Sequence, residues 1–179
     1  MKPGNPRLEK DYDKLMAFYD HGYEMMKKRA SETCGLSGKN KEVCNMHLYE
    51  HQIATNASQQ MTKVTGMIRE DIEKSGVREG IAVIFSPHTT AGFTINENAD
   101  PDVVHDMLCG FEKVFPTEQF FYQHAEGNSH AHMKTTMVGP SQTLIIHDGE
   151  IVFGIWQDLY FCEFDGPRNR TFYVKIIEG

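Results

Sequence analysis

The chain has 179 residues, of which 40% are hydrophobic and 24% charged, a composition typical of a globular domain of ordinary size. No apolar run approaches the ~18 residues that a membrane-spanning helix needs, so we expect a soluble protein that does not enter a membrane. Residues 1–45 contain 9 Lys and Arg against 7 Asp and Glu, and the remainder contains 9 against 18. This acidic main part argues against nucleic acid as a partner, because phosphate backbones bind to basic surfaces.

The first 46 residues are predicted to form a helical extension that ends in a linker. Glycine, serine and asparagine between positions 35 and 40 mark the linker. No apolar secretory signal precedes the helix, which predicts a cytoplasmic protein. The helix could pack on the main domain, on a neighbouring subunit or on a partner. Its apolar residues recur at spacings of three and four, as on one face of an amphipathic helix: Leu8, Tyr12, Leu15, Met16, Tyr19, Tyr23 and Met26.

From position 47 the pattern changes to short strands and two helices. Residues 48–53 alternate between apolar and polar, and the apolar run 80–85 is typical of a buried strand. Between these strands the pattern predicts a helix with Thr62 as its N-cap and Gly76 as its stop signal. A second helix is predicted to begin at Asp100-Pro101 and to end before Pro116.

The last third of the chain is predicted to be rich in strands. Residues 143–146 and 151–155 flank Asp148-Gly149, which predicts a hairpin with a two-residue turn. Residues 160–164 and 171–177 add two more strands. Because the chain has no repeated βαβ unit and no glycine-rich dinucleotide loop, the order of elements predicts an α+β sandwich and not a Rossmann sheet.

Four of the nine histidines fall at joints between predicted elements. His88 lies at a strand end, and His124, His130 and His132 lie in a predicted polar loop. Loops on a rigid scaffold often carry binding sites. Three neutral imidazoles can hold a tetrahedral zinc ion and leave its fourth position open. A solvated or hydrogen-bonded side chain is the alternative for each histidine, and the spacing does not decide between the two.

Seven short stretches resemble the successive signature blocks of the YjbQ-like family, in the same order. The resemblance covers residues 47–179, which predicts one domain there and leaves residues 1–46 outside the family pattern. It implies a β-sandwich of about seven strands in two sheets with two helices, a homotrimer, and a secondary thiamine-phosphate synthase activity. The matching stretches are SPHTTAG (86–92), INENADP (95–101), YQH (122–124), AHMK (131–134), GPS (139–141), GIWQ (154–157) and EFDGPR (163–168).

The resemblance also implies a set of site residues. A divalent metal, zinc or alternatively Mg²⁺ with a diphosphate substrate, is predicted on His88, His124 and His132, one from each of three blocks. His88 is also a predicted catalytic residue, together with Glu97 and Glu163, either of which is a candidate general base. Trp156 is either a pocket residue or a core aromatic. The predicted substrate-binding residues are Thr89, Thr90, Asn96, Asn128, Lys134, Ser141, Gln157 and Arg168.

The implied reaction is a metal-assisted condensation of a hydroxymethylpyrimidine diphosphate with a thiazole phosphate. Lys134, Arg168, nearby hydroxyls and the metal are predicted to stabilise the departing diphosphate. A metal-dependent hydrolase of a small phosphate or amide is an alternative, because a metal-bound water is a general nucleophile. Histidines that act as acid and base without a metal are another. A trimer that binds a small anion without turnover is the alternative of a different class.

Overall fold

The computed structural model describes residues 47–179, so the predicted extension and its helix lie outside the described residues. The described part is a mixed α/β fold of two antiparallel sheets and three helices, which confirms the predicted α+β class. In chain order the elements are β1 (Leu48–Ala54), β2 (Gln60–Lys63), α1 (Thr65–Ser75), β3 (Gly80–Phe85), β4 (Ala91–Glu97), α2 (Pro101–Val114), α3 (Ser129–Val138), β5 (Ser141–His147), β6 (Glu150–Ile151), β7 (Gln157–Glu163) and β8 (Asn169–Glu178).

The two sheets differ in size and in how they are covered. The larger sheet has the strand order β1-β8-β3-β5-β6 and the smaller one β2-β7-β4. The central strand β7 is buried from Leu159 to Glu163, because both of its faces are covered. Leu159 and Phe161 contribute to one core cluster, whereas Tyr160 and Cys162 contribute to another.

The larger core cluster combines residues of both sheets with Ile68 and Ile72 of α1. Its centre holds three fully buried phenylalanines, Phe93, Phe161 and Phe172. Phe93 meets each of the other two rings edge to face, with ring centroids 5.4 Å apart in both pairs. Each such side chain contributes about 1.5–3 kcal/mol through burial, so this cluster joins β4, β7 and β8 firmly.

The second core cluster lies where α2 and α3 pack on β7. Ala131 of α3 joins Tyr160, Cys162 and Phe164, and apolar residues of α2 including Phe111 pack against them. The opposite side of the larger sheet is left uncovered in residues 47–179. We call it the outer sheet face; its large apolar residues include the exposed Leu48, Phe85, Ile145 and Ile177 and the half-buried Ile81 and Val83.

The helix boundaries agree with the sequence at three of four ends. Asp100 caps α2 by accepting a hydrogen bond from the backbone N–H of Asp102 at 2.9 Å, and α1 ends at Gly76 with a positive φ of 72°. Thr62 is not the cap of α1, because residues 60–63 pair with β7 as strand β2. The helix begins at Thr65 instead, after Val64.

Two other local predictions differ from the structure, and one is confirmed. The polar stretch around His130 and His132 is not all loop, because residues 129–138 form α3. The strand predicted over 151–155 ends at Ile151. The two-residue turn is confirmed, since Asp148 and Gly149 both have positive φ, 54° and 81°.

Candidate functional site

The loop between β3 and β4 carries His88 and is held at both ends. The Ser86 hydroxyl donates to the carbonyl of Ala91 at 2.7 Å, and the Ser86 backbone N–H donates to the carbonyl of Pro140 at 2.8 Å. The imidazole Nε2 of His88 accepts a hydrogen bond from the backbone N–H of Thr171 at 3.1 Å. His88 is therefore fixed against the start of β8.

A buried ion pair lies beside this histidine. Arg170 donates from Nε and Nη2 to the two carboxylate oxygens of Glu163, at 2.7 and 2.6 Å, and from Nη2 to the Thr90 hydroxyl at 2.9 Å. Glu163 is 0% exposed, and its carboxylate also accepts from the backbone N–H of Asp165 at 2.9 Å. Burial, and then the nearby Arg170 cation, lower the pKa of His88 below its usual range, so its ring is neutral near pH 7.

The loop after β7 brings a second arginine to the surface. Arg168 donates from Nη2 to the Asp165 carboxylate at 2.7 Å, and the Asn128 side-chain amide donates to the same carboxylate at 3.1 Å. Burial opposes ionisation of Asp165, but the hydrogen bonds from Asn128 and Arg168 outweigh it and lower the pKa of this carboxyl group. About half of the Arg168 side chain is exposed. A charged guanidinium is thus held in a fixed place and open to a ligand.

The stretch from His124 through the first turn of α3 forms the third part of this region. The rings of His124 and His132 meet edge to face with centroids 5.1 Å apart. Nε2 of His124 lies 3.8 Å from a carboxylate oxygen of Glu126. Together with Ser129 and Met133, these two histidines line a shallow pocket of about 310 Å³. Asn128 connects this turn to Asp165, and Thr90 and His88 connect their loop to Arg170 and Thr171, so segments 86–90 and 124–133 each contact segment 163–171 and form one polar region with it.

Comparisons with known proteins identify this domain. The family model described as "UPF0047 protein YjbQ-like" matches residues 49–179. The chain belongs to the YjbQ-like UPF0047 family. It is 49% identical to the UPF0047 protein YugU of Bacillus subtilis over 126 aligned residues, which are 70% of this chain and 96% of that protein. It is 52% identical over 130 residues to the UPF0047 protein of Methanocaldococcus jannaschii, which covers 73% and 94%.

Solved structures of YjbQ-like proteins have the same fold. The structure of an uncharacterised YjbQ/UPF0047 protein from Clostridium acetobutylicum is 50% identical, with a TM-score of 0.71, and covers 72% of this chain and 99% of that one. A YjbQ-like protein of unknown function from Sulfolobus solfataricus has a TM-score of 0.70 at 27% identity, over 74% and 96% of the two chains. No helix within residues 47–179 is long and apolar enough to cross a membrane.

The metal ligands that the YjbQ-like pattern implies are only partly brought together. Within residues 47–179 of one chain, no three His, Cys, Asp or Glu side chains form a group that could hold a metal ion. His124 and His132 are neighbours, but Nε2 of His88 is occupied by the Thr171 N–H. The three predicted ligands therefore do not fit one ion in this arrangement.

The two predicted carboxylate bases occupy different environments, and neither is available to act on a substrate beside His88. Glu163 is fully buried and bonded to Arg170, so it positions its neighbours and has no access to a substrate. Glu97 pairs with Gln157 at one end of the β4–β7 ladder, whereas Glu163 pairs with Ala91 at the other. Six residues of strand separate these ends by about 20 Å. Within one chain, Glu97 and His88 do not share a site.

The predicted substrate-binding residues divide in the same way. Thr89 and Arg168 are exposed in the His88 region, and Asn128 is buried there. Asn96 and Gln157 lie at the Glu97 end of the ladder. The side chains of the remaining three are already bonded to other protein groups: Thr90 accepts from Arg170 beside His88, Ser141 donates to the carbonyl of Ile84 at 2.8 Å, and Lys134 is in an ion pair. Trp156 is 60% exposed, so it is not a core aromatic.

Sequence reasoning missed four residues that build the site, namely Asp165, Arg170, Thr171 and Thr55, whose hydroxyl donates to the Glu163 carboxylate at 3.2 Å. The inward position of Arg170 could have been predicted from the sequence. In β8 every second residue points inward, as Phe172, Val174 and Ile176 do. Arg170 lies two residues before Phe172, so the same pattern places it inward as well. A charged residue at an inward strand position requires a partner, which here is Glu163. The hydrogen bond from Thr171 uses only backbone and leaves no trace in the sequence.

Lys134 is completely buried and joins α3 to α2. Its ammonium donates to Glu112 at 2.7 Å and to the side-chain oxygen of Gln59 at 2.8 Å. The hydrogen bond from Lys134 is the largest of the effects that lower the pKa of Glu112 to about 2. In this arrangement the ammonium is committed to α2 and is not directed at a substrate anion.

This ion pair predicts unequal effects when its two members are replaced. Glu112→Gln leaves the Lys134 cation buried without an anion and is expected to destabilise by about 2–4 kcal/mol, whereas Lys134→Met leaves a partly exposed carboxylate and should cost less than about 1.5 kcal/mol. Folding lowers the pKa of Glu112, so its ionised carboxylate stabilises the folded state. This stabilisation is complete at pH values above the pKa of Glu112 in the unfolded chain, and it is lost as the pH falls toward about 2. Urea unfolding at pH 7 and at pH 3 measures both effects. Equal costs for the two variants at pH 7 would contradict the prediction.

Proposed function

We propose that this chain is an enzyme that acts on a small phosphorylated molecule, and that secondary thiamine-phosphate synthase activity is the first reaction to test. The observation that carries the proposal is the convergence of three chain segments on one polar region. That region offers an exposed guanidinium, Arg168, fixed by Asp165, and a neutral and partly exposed imidazole, His88, bonded to Thr171 three residues further along the chain. Arginine is well suited to phosphate, because its planar fork donates two parallel hydrogen bonds.

The residues of the chain would act mainly on the departing diphosphate. In the condensation, the thiazole nitrogen forms a bond to the methylene carbon of the pyrimidine, and the carbon–oxygen bond to diphosphate breaks with both electrons going to oxygen. The thiazole carries no proton on the attacking nitrogen, so the step needs no general base. Arg168, the Thr89 hydroxyl and His88 stabilise the charge that develops on the leaving oxygen. The unavailability of Glu163 is compatible with this reaction.

A divalent metal, zinc or Mg²⁺, remains part of the proposal only at the His124–His132 pair. Such an ion would polarise the phosphate oxygens when bound. Two imidazoles do not complete a zinc site, so further ligands would have to come from a second subunit or from the substrate.

A homotrimer is also part of the proposal. The outer sheet face supports it, because four large apolar side chains on it, those of Leu48, Phe85, Ile145 and Ile177, are exposed within residues 47–179 of one chain. In register, Ile81 lies between Ile145 and Ile177 across three neighbouring strands, which makes a continuous apolar row. Apolar rows of this kind commonly mark subunit contacts.

A specific observation favours a second candidate, a trimer that binds a small anion without turnover. Neither predicted base is available at His88, since Glu163 is buried and Glu97 lies at the far end of the ladder, so the hydrolase alternative lacks its base whereas anion binding needs none. Binding of the anion alone needs only Arg168 and His88. Product formation separates the two candidates: a protein that binds diphosphate tightly and converts no phosphorylated substrate is a binding protein.

The test of the site is Arg168→Ala, with Arg78→Ala as its matched control. Arg78 makes the same kind of exposed ion pair, with Asp148 at 2.8 Å, but lies in a different loop. Loss of a charge-assisted hydrogen bond is expected to weaken binding of inorganic diphosphate at least about 10-fold in Arg168→Ala and to leave Arg78→Ala unchanged. Calorimetric titration measures the affinity, and chromatography of thiamine phosphate measures turnover. Equal affinities of the two variants would remove Arg168 from the site.

A further inference from the structure

The hydrogen bond from Thr171 determines which nitrogen of His88 carries the proton. A backbone N–H can only donate, so the atom that it contacts, Nε2 at 3.1 Å, must present a lone pair. A neutral imidazole has one N–H, which then lies on Nδ1. Within residues 47–179 Nδ1 has no hydrogen-bond partner, and it is not among the buried polar atoms that lack one. The proton-bearing nitrogen of His88 is therefore accessible.

The arrangement is held on both sides, by strand pairing at Thr171 and by the Arg170 guanidinium at Thr90. Thr171 follows Arg170 in β8, and its backbone is fixed by pairing with Gln52 of β1. On the other side, the Thr90 hydroxyl, two residues beyond His88, accepts from Arg170 Nη2 at 2.9 Å. The buried Glu163 carboxylate in turn fixes the guanidinium through two short hydrogen bonds. Rotation of the His88 ring would break the hydrogen bond from Thr171 and leave this partly buried N–H without that partner.

We propose that His88 is not a metal ligand and that it binds the substrate as a neutral hydrogen-bond donor, through Nδ1–H to an anionic oxygen. A metal ion needs a nitrogen lone pair. On His88 one lone pair is used by Thr171, and the other position carries the proton. This inference rests on the proposed function for the identity of the anion, but the assignment of the tautomer does not.

A neutral imidazole of this kind acts without transferring its proton. Donation of the Nδ1 proton would create an imidazolate, which is far too basic to form here. The hydrogen bond instead stabilises negative charge on the leaving oxygen, as neutral histidines do at other developing oxyanions. The electron pair of the broken carbon–oxygen bond stays on the diphosphate. No proton has to be supplied, because diphosphate leaves as an anion at neutral pH.

The first experiment examines the wild-type protein without a ligand and uses a variant only to assign the signals. Long-range ¹H–¹⁵N spectra of the full chain labelled with ¹⁵N-histidine at pH 8 are expected to show His88 with a protonated Nδ1 and an unprotonated Nε2. One equivalent of Zn²⁺ is expected to leave both His88 signals in place. The signals are identified by their loss in His88→Asn. A protonated Nε2, or a shift of the His88 nitrogens on addition of Zn²⁺, would overturn the assignment.

The second experiment compares two amides. The side-chain nitrogen of Asn is separated from the backbone by as many bonds as Nδ1, and that of Gln by as many as Nε2. His88→Asn should therefore keep the affinity for inorganic diphosphate within about 3-fold, and His88→Gln should lower it about 10-fold, the loss of one hydrogen bond to a charged group. The reverse order would overturn the donor role. A wild type that does not bind diphosphate would refute the proposed function, whereas the ligand-free spectra decide the His88 assignment independently.

Discussion

Replacement of Arg170 by Met is expected to lower the free energy of unfolding by about 3–5 kcal/mol, because it leaves the Glu163 carboxylate buried without its cation. Glu163 is 0% exposed and receives two hydrogen bonds from this guanidinium. At 0% exposure, this carboxylate is not in contact with bulk solvent. The same substitution frees the Thr90 hydroxyl, so the loop that carries His88 should loosen as well. Chemical denaturation followed by circular dichroism measures the loss.

Two further variants separate the cost of an unpaired charge from a loss of packing. The double variant Arg170→Met/Glu163→Leu removes both charges and should recover most of the stability lost in the single variant. Arg78→Met removes an exposed ion pair with Asp148 and should cost less than about 1 kcal/mol. If Arg170→Met costs no more than Arg78→Met, the Arg170–Glu163 pair does not hold the site together.

Ile145→Asp is expected to convert the proposed trimer into single chains, with a threefold fall in molar mass. Ile145 is 60% exposed in one chain, so an aspartate there can remain hydrated and the fold should persist. In a trimer that covers the outer sheet face, the same carboxylate would be buried without a partner, which costs several kcal/mol per subunit. Sedimentation or light scattering gives the mass, and circular dichroism confirms the fold.

The matched control is the same change at Ile155. This side chain is 88% exposed but lies in the loop before β7, away from the outer sheet face. Ile155→Asp should leave the assembly intact. A wild type that sediments as a single chain would contradict the proposed trimer. Dissociation by Ile155→Asp but not by Ile145→Asp would place the contact elsewhere.

The sequence was sufficient to predict elements in which one local signal dominates. Asp100-Pro101 starts α2, Gly76 ends α1 and Asp148-Gly149 turns the hairpin, because each uses a residue whose conformational preference matches the position. Helix α3 gave no such signal. Its buried positions include His130, Lys134 and Thr135, so no apolar stripe marks the inward face.

The candidate site was predictable as a list of residues but not as an arrangement. The family pattern selected His88, Glu163 and Arg168, and the structure connects their segments through Arg170 and Asp165. The pattern also placed Glu97 among them, because blocks that are adjacent in sequence need not be adjacent in space, and β4 carries Glu97 about 20 Å away. Which nitrogen of His88 is free depends on a backbone contact with β8, and such contacts exist only after the sheet has formed.

The exposed position of Trp156 determines how this protein can be studied. It is the single tryptophan of the chain, and it lies in the loop before β7, at the end of the strand opposite Glu163. Its indole is already in contact with water in the folded state, so its emission should change little on unfolding. Ligands at His88 should not quench it either. Intrinsic fluorescence is thus a poor reporter for both stability and binding, and a tryptophan introduced at the buried Phe161 would provide a reporter of folding.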